Sequence, residues 1–522
     1  MGGSDTNNSP NDSASDATMH DDAEPPFVLA VDVGTSSVRV ALYDARAREV
    51  EGTQARIMRG FRITPDGGAE LDAEVAVEEV ARVIDASLAR LPRKLAARVE
   101  ALALTCFWHS LVGIDTAGRS VTPVFGWADT RAARCAERLR DEADIDPAAT
   151  HLRTGCRLHA SYWPAKLLWL RAERPAAWRD AARWLSFSDL LLLRLCGDCA
   201  TSLSMASGTG LLDTRACTWD SALARLLNLT EAHLPRLADD GETLRLNAHY
   251  AARWPLLRRA VVFQAIGDGA ANNVGEGCTT PQSVALMVGT SAALRVVYEG
   301  APPDELPASL WCYRLDRRRI VVGGALSDGG GLYEWLARAL NVETDEAALA
   351  SIEPDAHGLT LLPFWAGERS TGWNAHATGG ILGLTAHTRP VEILRAGMEA
   401  VAYRLAHVAR ALEAFAPGAE MRASGGALRA SLLWRQLLAD VLARPLLLSG
   451  VAEASSRGAV LLALEALGKI KSVSDMPAGA GEACRPDAAR HAIYKRAAAR
   501  QQRLYELLVA DQRVARIIDR DA

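Results

Sequence analysis

Residues 29–44 read Leu-Ala-Val-Asp-Val-Gly-Thr-Ser-Ser-Val-Arg-Val-Ala-Leu-Tyr-Asp. An apolar run at 28–31 ends at Asp32. A short turn follows through Gly34, Thr35, Ser36 and Ser37, and a second apolar run fills 38–43. The pattern predicts two strands joined by a tight turn of small hydroxyl residues. Such a turn aims backbone N–H groups and hydroxyls at phosphate oxygens. Asp32, at its mouth, suits a hydrated magnesium ion. No helix opens after the glycine, so this is neither a Walker loop nor a Rossmann fingerprint. An ordinary hairpin with a polar turn is the alternative reading.

The same chemistry returns half a chain later. A strand expected at 284–288 runs into Gly289, Thr290 and Ser291, and a further apolar run fills 294–297. Val-Gly-Thr-Ser thus occurs at 33–36 and again at 288–291. Two related halves, each offering such a turn after a strand, would clamp one polyphosphate across a cleft. Between them, an apolar strand expected at 262–266 ends at Gly267-Asp268-Gly269. Small neighbours leave the Asp268 carboxylate open to a ligand. A carboxylate there can take the proton of a hydroxyl that attacks phosphorus. Asp268 as a turn former is the plainer alternative.

The bulk composition sets limits. The chain has 522 residues, 49% apolar and 23% charged, with a net charge of −5. That balance is ordinary for a globular protein and carries no basic footprint for nucleic acid or for anionic membranes. No apolar stretch is long enough to span a bilayer, and the N-terminus lacks the pattern of a secretory signal. Nine scattered cysteines suit a reducing cytoplasm. Cys196 and Cys199 form a lone CxxC without the further ligands that a zinc site needs.

Residues 1–26, rich in Ser, Asp, Asn, Gly and Pro, read as a disordered tail. From residue 28 strands and helices alternate, giving an α/β chain with expected domains at 27–257 and 258–512. Helices are expected at 77–91, 132–142, within 163–195, and at 333–340, 432–443 and 488–508.

Three more groups carry chemistry. His109 follows an apolar strand at 102–104, and is either a ligand contact or a packed residue. Trp127, Asp129 and Arg131 place an indole, a carboxylate and a guanidinium within one short segment, the combination that binds sugars. Asp129 could equally cap the following helix. Ser424-Gly425-Gly426-Ala427 precedes a helix, where bare backbone can approach a flat ring. A plain strand-to-helix turn is the alternative. Gly329, Gly330 and Gly331 are expected only to shape the cleft.

Taken in order, these segments resemble the FGGY family of carbohydrate kinases, from about residue 28 to about residue 468. Residues 32–39 match its first phosphate motif, 127–131 its sugar-side motif and 267–269 the segment bearing its catalytic base. Residues 289–291 match its second phosphate motif. Residues 424–427, with Trp434, Gln436, Ala439 and Asp440, match its adenosine motif. Within the family, residues 267–275, 289–295 and 367–374 look most like gluconokinases, as does His109-Ser110. The chain departs at Cys106-Phe107-Trp108, where a Gln-Met pair is usual; the aromatic side chains are bulkier and are not amides.

The resemblance implies two actin-like, ribonuclease-H-like domains with a ligand cleft between them, and ATP and Mg2+ as cofactors. It implies Asp268 as general base and Asp32 as the residue that places the metal. Gly34, Thr35, Ser36, Gly289, Thr290 and Ser291 would hold phosphates, and Arg39 would lend positive charge. Gly425, Gly426 and Ala427 would lie along the adenosine. His109, Ser110, Trp127, Asp129 and Asn272 would face the sugar, and Arg131 a substrate carboxylate. The expected reaction is phosphorylation of a sugar or sugar acid, D-gluconate first. Xylulose, another ketose or a polyol is the alternative acceptor, and an actin-like ATPase or a silent sugar sensor lies outside the class. The expected partner is a small molecule, with no nucleic acid and no membrane, and a homodimer is left open.

Overall fold

The computed structural model describes residues 23–510, apart from 97, 143–144 and 343–344. Residues 1–22 of the expected tail and 511–512 of the expected second domain therefore lie outside the described residues.

The opening stretch forms a hairpin. Strand Phe27–Val33 is buried along its whole length, as expected of a strand covered on both faces, which reads as an unbroken apolar run. It pairs antiparallel with Ser37–Tyr43, and that strand pairs antiparallel with Ala55–Met58. On its other side Phe27–Val33 pairs parallel with Val99–Cys106, which pairs parallel with Val261–Phe263.

The second sheet repeats this plan. Ser283–Val288 pairs antiparallel with Ala292–Glu299, and Ala292–Glu299 antiparallel with Arg319–Leu326. On the other side Ser283–Val288 pairs parallel with Glu420–Ser424, and that strand parallel with Leu446–Ser449. Both sheets thus carry the same sequence of two antiparallel and two parallel pairings around a central strand. This is the expected ribonuclease-H-like unit, present twice.

The expected break at 257/258 falls too early. Val261–Phe263 and Ile266–Gly267 both pair with Val99–Cys106, inside the first sheet. The expected single strand at 262–266 is split into these two pieces. The first core also reaches far along the chain, because Val460, Leu461 and Leu464 pack into it from helix Ala454–Ala466. Each fully buried Leu or Val of this kind stabilises the fold by about 1.5–3 kcal/mol.

The helices start at or near their expected places. Ala73–Leu88 begins four residues before its expected start, because the side chain of Asp72 accepts from Val75 N–H and caps it. Gly330–Ala339, Leu432–Leu442 and Ala488–Tyr505 follow expectation to within a few residues. Among the described residues no helix is long and apolar enough to cross a membrane.

Candidate active site

Strand register brings the chemistry together. Asp32 pairs with Arg39 on one side and with Thr105 on the other. Gly267 pairs with Cys106 at the end of the same parallel strand. Asp268 therefore opens helix Asp268–Gly275 beside the strand ends that carry Asp32. In α/β sheets, ligands gather at the carboxyl ends of parallel strands. A cavity of about 450 Å³ lies there, lined from both halves of the chain.

One end of the cavity holds the two turns. Gly34, Thr35 and Ser36 line it from the first half, and Gly289, Thr290 and Ser291 from the second. Each turn is closed by its glycine N–H: Gly34 donates to Ser37 C=O, three residues on, and Gly289 to Ser291 C=O, two residues on, both at 2.9 Å. Arg59 braces the first turn, donating to Gly34 C=O at 2.8 Å through Nη2. Residues 329–331 brace the second. Gly330 N–H donates to Gly289 C=O at 2.7 Å, and Gly329 and Gly331 N–H both donate to Thr290 C=O at 3.0 Å. These glycines do more than shape the cleft. A Cβ on Gly330 would stand 2.7 Å from Gly289 C=O. Gly425 adopts φ +97°, and a Cβ there would stand 2.3 Å from Val288 C=O, so the late glycine turn rests directly on the strand before the second turn.

Asp32 and Asp268 share the cavity. Asp32 Oδ1 accepts from Thr105 Oγ1 at 2.7 Å, while Oδ2 is engaged only loosely by Arg39, at 3.5 Å. Arg39 also pairs with Glu453, so its charge is already offset. Asp268 is half-buried and accepts from Gly269 N–H at 2.7 Å. Burial pushes its carboxyl up to about 6, with Arg295 opposing and Asp32 adding to the rise. At neutral pH it is mostly ionised and able to accept a proton.

The other end is aromatic and cationic. Trp108, His109, Trp127, Trp311, Tyr313, Arg295 and Arg369 line it. Trp108 donates from Nε1 to Ser204 C=O at 2.9 Å. Its indole covers the backbone just before Asp268, because a Cβ on Gly267 would fall 1.9 Å from the ring. It meets Tyr313 edge-on at 5.1 Å, and Tyr313 stacks on Trp311 at 4.2 Å. His109, at φ +69°, has Nδ1 2.6 Å from Gly208 C=O. A carbonyl only accepts, so Nδ1 carries the proton and Nε2 is left as an acceptor. Burial lowers this ring to about 3 and keeps it neutral.

Both halves of the chain match a known family. The model described as "FGGY family of carbohydrate kinases, N-terminal domain" matches residues 27–275, and its C-terminal counterpart matches residues 284–467. The chain belongs to the FGGY family of carbohydrate kinases. As a member it is a phosphotransferase with an alcohol acceptor. It is 27% identical over 475 residues to a gluconokinase of Bacillus subtilis, covering 86% of this chain and 90% of the relative. It is 29% identical over 493 residues to a xylulose kinase of Escherichia coli, covering 92% and 99%. The crystal structure of gluconate kinase from Lactobacillus acidophilus superposes with a TM-score of 0.82 at 25% identity, covering 93% of this chain and 98% of that one.

Not every residue read from the FGGY motifs reaches the cavity. Asn272 lines it, and so do Gly425 and Gly426, but Ser110, Asp129, Arg131 and Ala427 do not. Ser110 is fully buried, and its hydroxyl accepts from Phe187 N–H at 3.0 Å. Arg131 closes onto Asp129 at 2.5 Å and Glu70 at 2.8 Å, and lies over Trp169 at 4.7 Å. That network leaves it without a free face for a carboxylate. Asp129 does not cap the following helix, whose N-cap Ala132 has no side-chain bond. Asp440 instead accepts from Gln436 and from Asp487 N–H, both at 2.8 Å, tying its helix to the start of the C-terminal helix.

Four residues without an expected role matter to this kinase site. Arg59 braces the first turn. Lys166 is buried and donates to the carbonyls of His109, Gly126 and Ser161 at 2.9, 2.7 and 2.8 Å, fastening three segments together beside the cavity. Arg295 and Arg369 place guanidinium groups in the cavity. Arg295 carried a readable signal, a charge inside the apolar strand Ala292–Glu299. The other three depend on contacts far apart in sequence.

Proposed function

We propose that this chain phosphorylates D-gluconate at its 6-hydroxyl, with ATP as donor and Mg2+ as the accompanying ion. The observation that carries the reading is the place of Asp268, in one cavity with two Gly-Thr-Ser turns contributed by the two halves of the chain. The turns supply N–H groups and hydroxyls for the phosphates, and residues 425–426 supply bare backbone for the adenosine. Asp268 takes the proton of the acceptor hydroxyl as its oxygen attacks the γ-phosphorus. Phosphoryl transfer needs mainly positioning and charge stabilisation, which such a cradle provides.

Asp32 fits the metal: one oxygen is fixed by Thr105 and the other has only a loose partner. A Mg2+ held largely by water and phosphates needs one or two such carboxylates. It would be held by Asp32 and would neutralise phosphate charge.

Gluconate is favoured by the similarity to gluconokinases and by the cationic acceptor end. Xylulose is the second reading, favoured by the similarity to a xylulose kinase over nearly its whole length. The acceptor is a small molecule, and a cytoplasmic setting belongs to the reading.

A coupled ADP-release assay over gluconate, xylulose, ribulose, glycerol and erythritol tests it. The expected result is the highest kcat/KM on gluconate. A preference for xylulose or a polyol would overturn the gluconate assignment while keeping the kinase. ATP hydrolysis indifferent to every acceptor would favour an actin-like ATPase, and sugar binding without product a sensor.

A further inference from the structure

The acceptor end holds two buried guanidinium groups. Arg295 is 3% exposed and Arg369 9% exposed. Among the described residues neither meets a carboxylate within ion-pair distance. A buried cation without a counter-charge is costly unless its hydrogens are satisfied. Arg295 meets that need from its own neighbours: Nε donates to Asn273 Oδ1 at 3.1 Å and Nη2 to Asn272 Oδ1 at 3.2 Å.

Arg369 does not. Among the described residues its guanidinium makes one hydrogen bond, from Nη2 to Leu326 C=O at 2.9 Å. Its Nε is buried with no partner. The group is restrained, because its guanidinium carbon lies over the Trp127 ring at 4.4 Å. The loop beneath is fixed too. Glu368, the preceding residue, is buried against Arg404 at 2.7 Å and accepts from Tyr505 OH at 2.9 Å. A rigid, buried, under-satisfied guanidinium that lines a substrate cavity is built for an anion.

We propose that Arg369 binds the carboxylate of a sugar-acid acceptor, with Arg295 adding positive charge beside it. This rests on the sugar-acid reading above and deepens it. The role passes from Arg131, which Asp129 and Glu70 already neutralise, to Arg369. The carboxylate end of an open-chain acid would sit against Trp127 and Arg369, and its far hydroxyl would reach Asp268. An acceptor with a neutral end leaves Arg369 buried without its anion, so the site discriminates by charge.

The test compares Arg369→Gln and Arg369→Lys with the wild type. Three quantities are measured: KM for gluconate, the inhibition constant of the neutral polyol D-glucitol, and KM for ATP. The account expects Arg369→Gln to raise KM for gluconate on the order of thirtyfold, the loss of a charge-assisted hydrogen bond. The D-glucitol constant and KM for ATP should stay within about twofold, since D-glucitol brings no anion to this group and ATP would bind at the two turns. Arg369→Lys should recover part of the gluconate loss by restoring the charge. An equal loss for gluconate and D-glucitol would overturn the proposal and leave Arg369 a packing residue. A rise confined to KM for ATP would overturn it in favour of phosphate binding. A wild type that prefers another sugar acid, and loses it in Arg369→Gln, would sink gluconate and keep the subsite. A wild type that takes gluconate with KM unchanged in Arg369→Gln would sink the subsite and keep gluconate. A wild type that accepts only neutral sugars would sink both.

Discussion

Asp268 takes its chemistry from its surroundings. Burial raises its carboxyl to about 6, Arg295 pulls it down and Asp32 pushes it up. A base works only as the carboxylate, so protonation below this value removes it. The kcat/KM for the preferred acceptor should therefore fall by about tenfold per pH unit on the acid side. His109 is held neutral, near 3, and adds no second limb in the range where histidines usually titrate. A pH–rate profile checks both statements, and one that stays flat down to pH about 5 would contradict the assignment of the base. Asp268 stands out in the sequence because a strand end and two flanking glycines isolate it, and the structure places it in the cavity. Asp129 and Arg131 stay out of the cavity for a reason that is not local. Their spacing puts them near Trp127, but Glu70, distant in sequence, turns Arg131 away from the cavity. Lys166 was not legible at all, since its three acceptors come from three separate segments.

At the level of elements, each loop that lines the cavity is backed by a second segment. The first turn rests on Arg59, the second on residues 329–331, and the loop bearing Arg369 on the C-terminal helix. That helix reads from its sequence as an edge-packing element. The structure gives it a further task, because Tyr505 bonds Glu368 and lies 4.2 Å from Arg404. Glu368 and Arg404 are each 1% exposed. Arg404→Met would leave Glu368 buried without its cation, a loss of about 3–5 kcal/mol. Urea unfolding measures it, and a loss under about 1 kcal/mol would show that Glu368 finds another partner or reaches water. The strands and turns were legible because apolar runs and small hydroxyl residues are local signals. The braces were not, because hydrogen bonds between distant segments leave no periodicity in the sequence.

Across the whole molecule, two sheets of one plan bring two copies of one turn to a shared cavity. The repeat of Val-Gly-Thr-Ser at 33–36 and 288–291 announced this arrangement. The exact split between the halves was hidden, since strand Val261–Phe263 joins the first sheet and helix Ala454–Ala466 packs into the first core. Chain order does not follow the spatial halves there. Specificity was hidden as well. The sequence marks Cys106-Phe107-Trp108 as a departure, and the structure makes Trp108 part of an aromatic wall beside Asp268. The central claim is that this two-part clamp presents a phosphoryl group to a hydroxyl activated by Asp268. The most direct measurement is steady-state turnover of Asp268→Asn on the preferred acceptor. The account predicts a fall in kcat of roughly 10²–10⁴-fold, with KM for ATP and acceptor changed by less than about threefold. Near-wild-type turnover would contradict it.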